Sequence, residues 1–149
     1  MFKFKNAARM TRDRTIEGET GTEIGFPGGD RLWVLAATDA NSRWEKFGDD
    51  YINELRRLQR ANATADRLKK FQAEWFTRMF VLRWDVKGDD DRPVPFSTEA
   101  AESYLMLDDV IPAIQRVVFE NQNFRGARIE VVVDEGKGSL NGEAPTPGT

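Results

Sequence analysis

The 149-residue chain contains no cysteine and no histidine. Without cysteine there is no disulfide and no thiolate metal site, a composition that suits a reducing cytoplasm. Without histidine, Ser-His-Asp, Cys-His and His-metal chemistry are excluded, so any catalysis rests on carboxylates, Lys, Tyr or Ser. Long apolar runs are missing as well. No window approaches the roughly 18 apolar residues of a membrane span, and the basic start MFKFKNAARM lacks a signal-peptide core. The expectation is a chain that neither spans a membrane nor leaves the cell by that route. Net charge is −3, so no overall attraction draws it to nucleic acid or to an anionic membrane.

Hydrophobic residues make up 40% of the chain and charged residues 32%, outside the disordered regime. A chain of this length can bury roughly 68% of its unfolded surface around one core. The expected layout is a basic N-terminal arm over 1–16, a single domain over 17–133 and a tail over 134–149. The arm carries Lys3, Lys5, Arg9, Arg12 and Arg14 against Asp13. It reads as a solvated terminus or as an arm that docks on an acidic partner. The tail is rich in Gly, Pro, Ser and Thr, which predicts disorder.

A β-hairpin is expected over 19–37. Thr20, Thr22, Ile24 and Phe26 alternate on one side, as do Leu32, Val34 and Ala36, around the turn Phe26-Pro27-Gly28-Gly29-Asp30. Gly28-Gly29 is not a phosphate loop, because no helix or P-loop lysine follows. A first helix over 41–60 carries Trp44, Phe47, Tyr51, Leu55 and Leu58 on one stripe, with Asp39 or Asn41 as cap. A second helix, capped by Thr64 and running to about 83, repeats the spacing with Leu68, Phe71, Trp75, Met79 and Leu82. Ser97 is expected to cap a third helix and Asp108 or Asp109 a fourth, with Pro112 near its start. Ile129–Val133 is β-branched and prefers strand. The fold class expected is mainly α: an antiparallel helical domain with an N-terminal β-hairpin and a disordered C-terminal tail.

The aromatic face of the second helix is wider than one antiparallel neighbour needs. Core packing is the plain reading. The sharper one makes Phe71, Trp75, Phe76, Met79 and Phe80 a surface for a partner helix, since Phe, Trp and Met suit adaptable binding faces. Asp89, Asp90 and Asp91 invite a metal reading, but consecutive carboxylates splay and no closing Glu follows, so a surface turn is expected. Charge is uneven along the chain. From 43 to 84 there are ten Lys and Arg against six Asp and Glu, and from 85 to 109 two against eight. The second region can fold back on the first or present an acidic face to a basic partner. The basic cluster around Arg56, Arg57, Arg60, Arg67, Lys69 and Lys70 lacks interleaved exposed aromatics or a nucleic-acid-binding signature.

Between the second and third helices lies WDVKGDDDRPVPFSTE, Trp84 to Glu99. Its Trp84-Asp85 step, the Gly88-Asp89-Asp90-Asp91 turn, Pro93-Val94-Pro95-Phe96-Ser97, Glu99, Tyr104-Leu105 and Asn123-Phe124 resemble tail assembly chaperones of long-tailed bacteriophages. The upstream hairpin and helices are compatible in layout, so the resemblance spans about 18–126. It implies a non-catalytic helper in the host cytoplasm, without metal or cofactor, that binds the tape measure protein and aids recruitment of tail tube protein. Trp84, Asp85, Pro93, Pro95, Phe96 and Ser97 are expected to form a packed structural connector. The alternatives are a structural tail or connector component retained in the virion and a carboxylate-metal enzyme. Nucleic acid and membrane are not expected partners, and self-association is left open.

Overall fold

A computed structural model describes residues 2–5, 7, 11–125 and 129–130. The expected tail over 134–149 and the strand preference at 131–133 lie outside the described residues. A π-helical turn at Ile16–Thr20 leads into β1 (Thr22–Gly25), and β2 (Arg31–Val34) returns antiparallel to it. Phe26 N donates to Asp30 O at 2.8 Å to close the hairpin. Gly28 and Gly29 occupy φ of 87° and 97°, a region glycine enters without a Cβ penalty.

Helix α1 (Ser42–Arg60) starts at Asn41, whose Oδ1 accepts from Arg43 N at 3.0 Å. Asn41 does more than cap. It is fully buried, and its Nδ2 donates to Ala36 O at 2.9 Å and Met79 O at 3.0 Å. One side chain thus fastens the end of β2 to the start of α1 and the end of helix α2 (Ala65–Met79). Thr64 caps α2 through Arg67 N at 3.1 Å.

Helix α2 stops four residues short of its expected end. Phe80 leaves the helix at φ −121°, its carbonyl accepts from Leu35 N at 2.8 Å, and Val81–Asp85 becomes β3, antiparallel to β2. Helical spacing carries the apolar stripe on to Leu82, but the open edge of β2 offers a partner and the local Val-Leu-Arg-Trp sequence accepts it. Tertiary pairing overrides the pattern. Two residues at Ile129–Glu130 form β4, parallel to β1, so the sheet runs β3-β2-β1-β4. The expectation of a mainly α chain is therefore corrected to mixed α and β.

Helix α3 (Thr98–Leu105) is capped by Ser97, whose Oγ accepts from Ala100 N at 3.1 Å. Helix α4 (Val110–Val118) begins differently from the expectation. Asp109 sits at its cap position at φ 71° and makes no side-chain cap bond. The inner faces of the sheet (Ile24, Leu32, Val34), of α2 (Phe71, Phe76, Met79) and of α4 (Ile114, Val117) share one core, joined by Leu105 and Phe124. The opposite face of the sheet carries polar side chains. There Arg83 lies 4.2 Å over the Trp33 ring and Arg31 Nε meets Glu23 Oε2 at 3.3 Å.

Candidate partner-binding surface

The aromatic face of α2 is largely enclosed by its own chain. Phe71 stacks on Tyr51 of α1 with ring centroids 5.4 Å apart and planes 7° from parallel. Phe76 meets Tyr51 at 5.7 Å and Phe80 at 5.2 Å, and Phe80 lies against Trp44 and Phe119. Phe76, Met79 and Phe80 are wholly buried and Phe71 nearly so. Burial also pushes the Tyr51 hydroxyl pKa up, against a weak hydrogen bond from Gln72. The structure thus places four of the five candidate partner-binding residues in the core, and a partner helix meets Phe76, Met79 and Phe80 only if α1 lifts away. Interlocking rings gain from edge and offset contacts as well as from area, which holds that face shut.

Trp75 is the exception. It is half-buried, with Arg78 5.0 Å over its ring and Phe47 at 6.4 Å. It lines an open cleft of about 550 Å³ between α1 and α2. Phe71 reaches the floor of the same cleft, whose walls include Asp50, Glu54, Arg57 and Arg67. Glu54 accepts from Arg57 at 2.9 and 2.5 Å, and that pairing holds the Glu54 carboxyl below its ordinary pKa. Both signs of charge therefore border an aromatic floor.

The Trp84–Ser97 connector is a built corner. Val94 N donates to Val86 O at 2.8 Å and Gly88 N to Arg92 O at 2.9 Å, making a tight loop in which Asp91 takes φ 63°. Trp84 Nε1 donates to Val94 O at 2.8 Å. Its ring meets Phe96 at 5.3 Å and Tyr104 at 5.7 Å, and Tyr104 meets Phe26 of the hairpin turn at 6.0 Å. The Tyr104 hydroxyl donates to Asp30 Oδ2 at 3.0 Å, while Asp30 Oδ1 accepts from Lys87 N. Burial, with Asp30 beside it, raises the Tyr104 pKa far above its ordinary range. Packing is nevertheless uneven. Asp85, Pro93, Pro95 and Ser97 are exposed and Phe96 keeps 42% of its surface, so of the six residues expected to form a packed connector only Trp84 is half-buried.

Asp89, Asp90 and Asp91 lie exposed on the turn, with Asp90 accepting from Arg92 N. Among the described residues no group of three or more acidic side chains is placed to hold a metal. No described helix is long and apolar enough to cross a membrane. Lys69 Nζ lies 3.5 Å from Asp108 Oδ1, one link between the basic and acidic stretches.

The arm holds a clasp that the charge count did not reveal. Glu17, the residue that follows the basic stretch, is fully buried and accepts from Arg12 Nη2 at 2.6 Å, Arg12 Nε at 3.0 Å and Thr38 Oγ1 at 2.7 Å. Arg12 and Arg14 both donate to Asp39 Oδ1 at 3.1 and 3.0 Å. The Arg12 bonds hold the Glu17 carboxyl below its usual pKa despite burial, and Arg12 and Arg14 do the same for Asp39. Gly18 fits because an added Cβ would stand 2.0 Å from Ala40 O. Nothing in the local pattern singles out Glu17, since its partners are 5 and 21 residues away.

No protein-family model, curated protein or solved structure matches this chain.

Proposed function

We propose that this protein is a non-catalytic helper of the tail assembly chaperone kind, binding the tape measure protein of a long-tailed bacteriophage and bringing it tail tube protein in the host cytoplasm. The observation that carries the reading is the Trp84–Ser97 corner. Four of the residues that resemble that family, Trp84, Val94, Phe96 and Tyr104, are tied by specific contacts, from the Trp84 indole on Val94 to the Phe96–Trp84–Tyr104 ring series. In this reading the docking surface is the cleft between α1 and α2, floored by Phe71 and Trp75. An apolar floor with charged walls of both signs suits an amphipathic helix with polar flanks.

Co-expression with the tape measure protein of a long-tailed bacteriophage whose genome encodes this chain is the test. The expected result is a soluble complex that is lost in Trp75→Ala at temperatures where circular dichroism shows the variant still folded. A tape measure protein that stays insoluble and brings down none of this chain would sink the reading. So would abundant peptides of the chain in purified virions.

A further inference from the structure

The cleft between α1 and α2 has a direction built into it. Its α1 wall is made by Asp50, Asn53, Glu54, Arg57 and Arg60, and its α2 wall by Arg67, Phe71, Glu74 and Trp75. Each set falls on one stripe of its helix, so the cleft is a groove that follows both axes. From Asp50 to Arg60 it runs about 15 Å, close to three helical turns. The two helices lie antiparallel, as the contacts of Phe47 with Trp75 and of Tyr51 with Phe71 require. Arg60 and Arg67 therefore stand at one end, beside the turn that joins the helices, and Asp50 and Glu74 at the other.

The charges at these two ends are not spent on each other. Arg57 gives its guanidinium to Glu54. Arg78, one turn beyond Glu74, is held over the Trp75 and Phe47 rings. Arg60 and Arg67 form no ion pair among the described residues, nor do Asp50 and Glu74. The groove thus carries two free cations at one end, two free carboxylates at the other, and an aromatic floor between them.

Two physical requirements narrow what can fill it. Both walls are helices, whose main-chain groups bond within each helix, so the groove offers none to a docked strand. A helical partner satisfies its own main chain and needs only side-chain contacts. Covering the groove also strips water from its free charges, which is unfavourable unless the partner brings opposite ones. Pairs at an exposed rim add little affinity, so their effect falls on orientation and on the choice of partner.

We infer that the groove takes a partner's amphipathic helix in one orientation, with an acidic side chain against Arg60 and Arg67 and a basic one against Asp50 and Glu74. An apolar side chain between them sits on Phe71 and Trp75, and the acid and the base stand roughly two to three turns apart on the partner. The inference rests on the cleft being the docking surface and adds the charge order of the helix that fits it.

The probes are synthetic helical peptides with one leucine stripe, titrated into the isotope-labelled full chain at low salt. The first carries Glu and Lys two turns apart at the edge of the stripe, the second Lys at both positions and the third Glu at both. The mixed peptide should bind about ten-fold tighter than either uniform one, an advantage that shrinks as salt is added. A nitroxide beside its Glu should broaden the amides around Arg60 and spare those around Asp50. In an Arg60→Gln, Arg67→Gln chain the mixed peptide should lose its advantage over the double-Lys one. Equal affinity for all three peptides, or broadening at both ends alike, overturns the charge order and leaves the cleft a docking surface. If no peptide binds, or binding persists in a folded Trp75→Ala chain, the cleft is not that surface and the inference falls with it. A wild type that sediments as a dimer, and as a monomer in Trp75→Ala, would put a second copy in the groove and overturn it as well. Co-expression with the tape measure protein judges the partner's identity, so the two readings fail separately.

Discussion

Two aromatic clusters in this molecule have opposite fates. Around α2, Phe71, Phe76 and Phe80 interlock with Tyr51 and Trp44 and are shut inside the core. At the corner, Trp84, Phe96 and Tyr104 stack just as closely, yet Trp84 and Tyr104 stay half-buried and Phe96 exposed. From the sequence, core packing is the plain reading of the helix face and a partner surface the sharper one, while the connector is expected to pack. The difference lies in what stands opposite each cluster. The helix face has a 19-residue antiparallel neighbour lined with its own aromatics, whereas the corner has only a hairpin turn and the last turn of α3. Richness in aromatic residues shows that area is available to be buried and leaves open which element buries it.

Substitutions measure that contrast. Phe76→Ala should cost the most, about 4 kcal/mol by chemical denaturation, as expected for a wholly enclosed ring. A cost under about 1 kcal/mol would mean that α1 and α2 are not locked and that their aromatic face is available after all. Asn41→Ala comes next, at about 3 kcal/mol, since it removes a helix cap and leaves two buried carbonyls unpaired. Phe96→Ala should cost only about 1 kcal/mol, because much of its ring already faces water. If it proves as damaging as Phe76→Ala, the corner is as closed as the core and the contrast fails.

The Glu17 clasp extends the comparison to a polar contact. Glu17→Gln should cost about 2 kcal/mol at neutral pH, from loss of a charged acceptor bonded to Arg12 and Thr38. The Glu17 carboxyl is held below its ordinary value of 4.5, first by Arg12. Its contribution is therefore complete above that value and disappears as pH falls through the lower folded one. Melting curves of wild type and Glu17→Gln should stay apart from pH 7 to about 5 and converge at lower pH. A gap that persists in strong acid would show that the carboxylate charge is not what holds the clasp.

Much of the frame was legible because it depends on neighbours in sequence. The hairpin turn, the caps at Asn41, Thr64 and Ser97, and the stripe from Trp44 to Leu58 follow from short-range rules of backbone freedom, capping and helical period. The misses have a common cause. Val81–Asp85 became strand because β2, almost 50 residues earlier by the Val34–Val81 pairing, offered an edge. Asp109 makes no side-chain cap bond because its backbone is turned to positive φ. Glu17 is buried because Thr38 and Asp39 fold beside it.

What the sequence settled alone was chemistry by exclusion and local form: no thiol, no imidazole, four amphipathic segments, one hairpin and a shaped connector. Only the tertiary structure decided which aromatic faces close, that the hairpin grows into a four-stranded sheet, and that Phe71 and Trp75 line a cleft while Phe76, Met79 and Phe80 do not. The reason is physical. Backbone preference acts over a few residues, but burial and strand pairing depend on surfaces that the chain brings together from a distance.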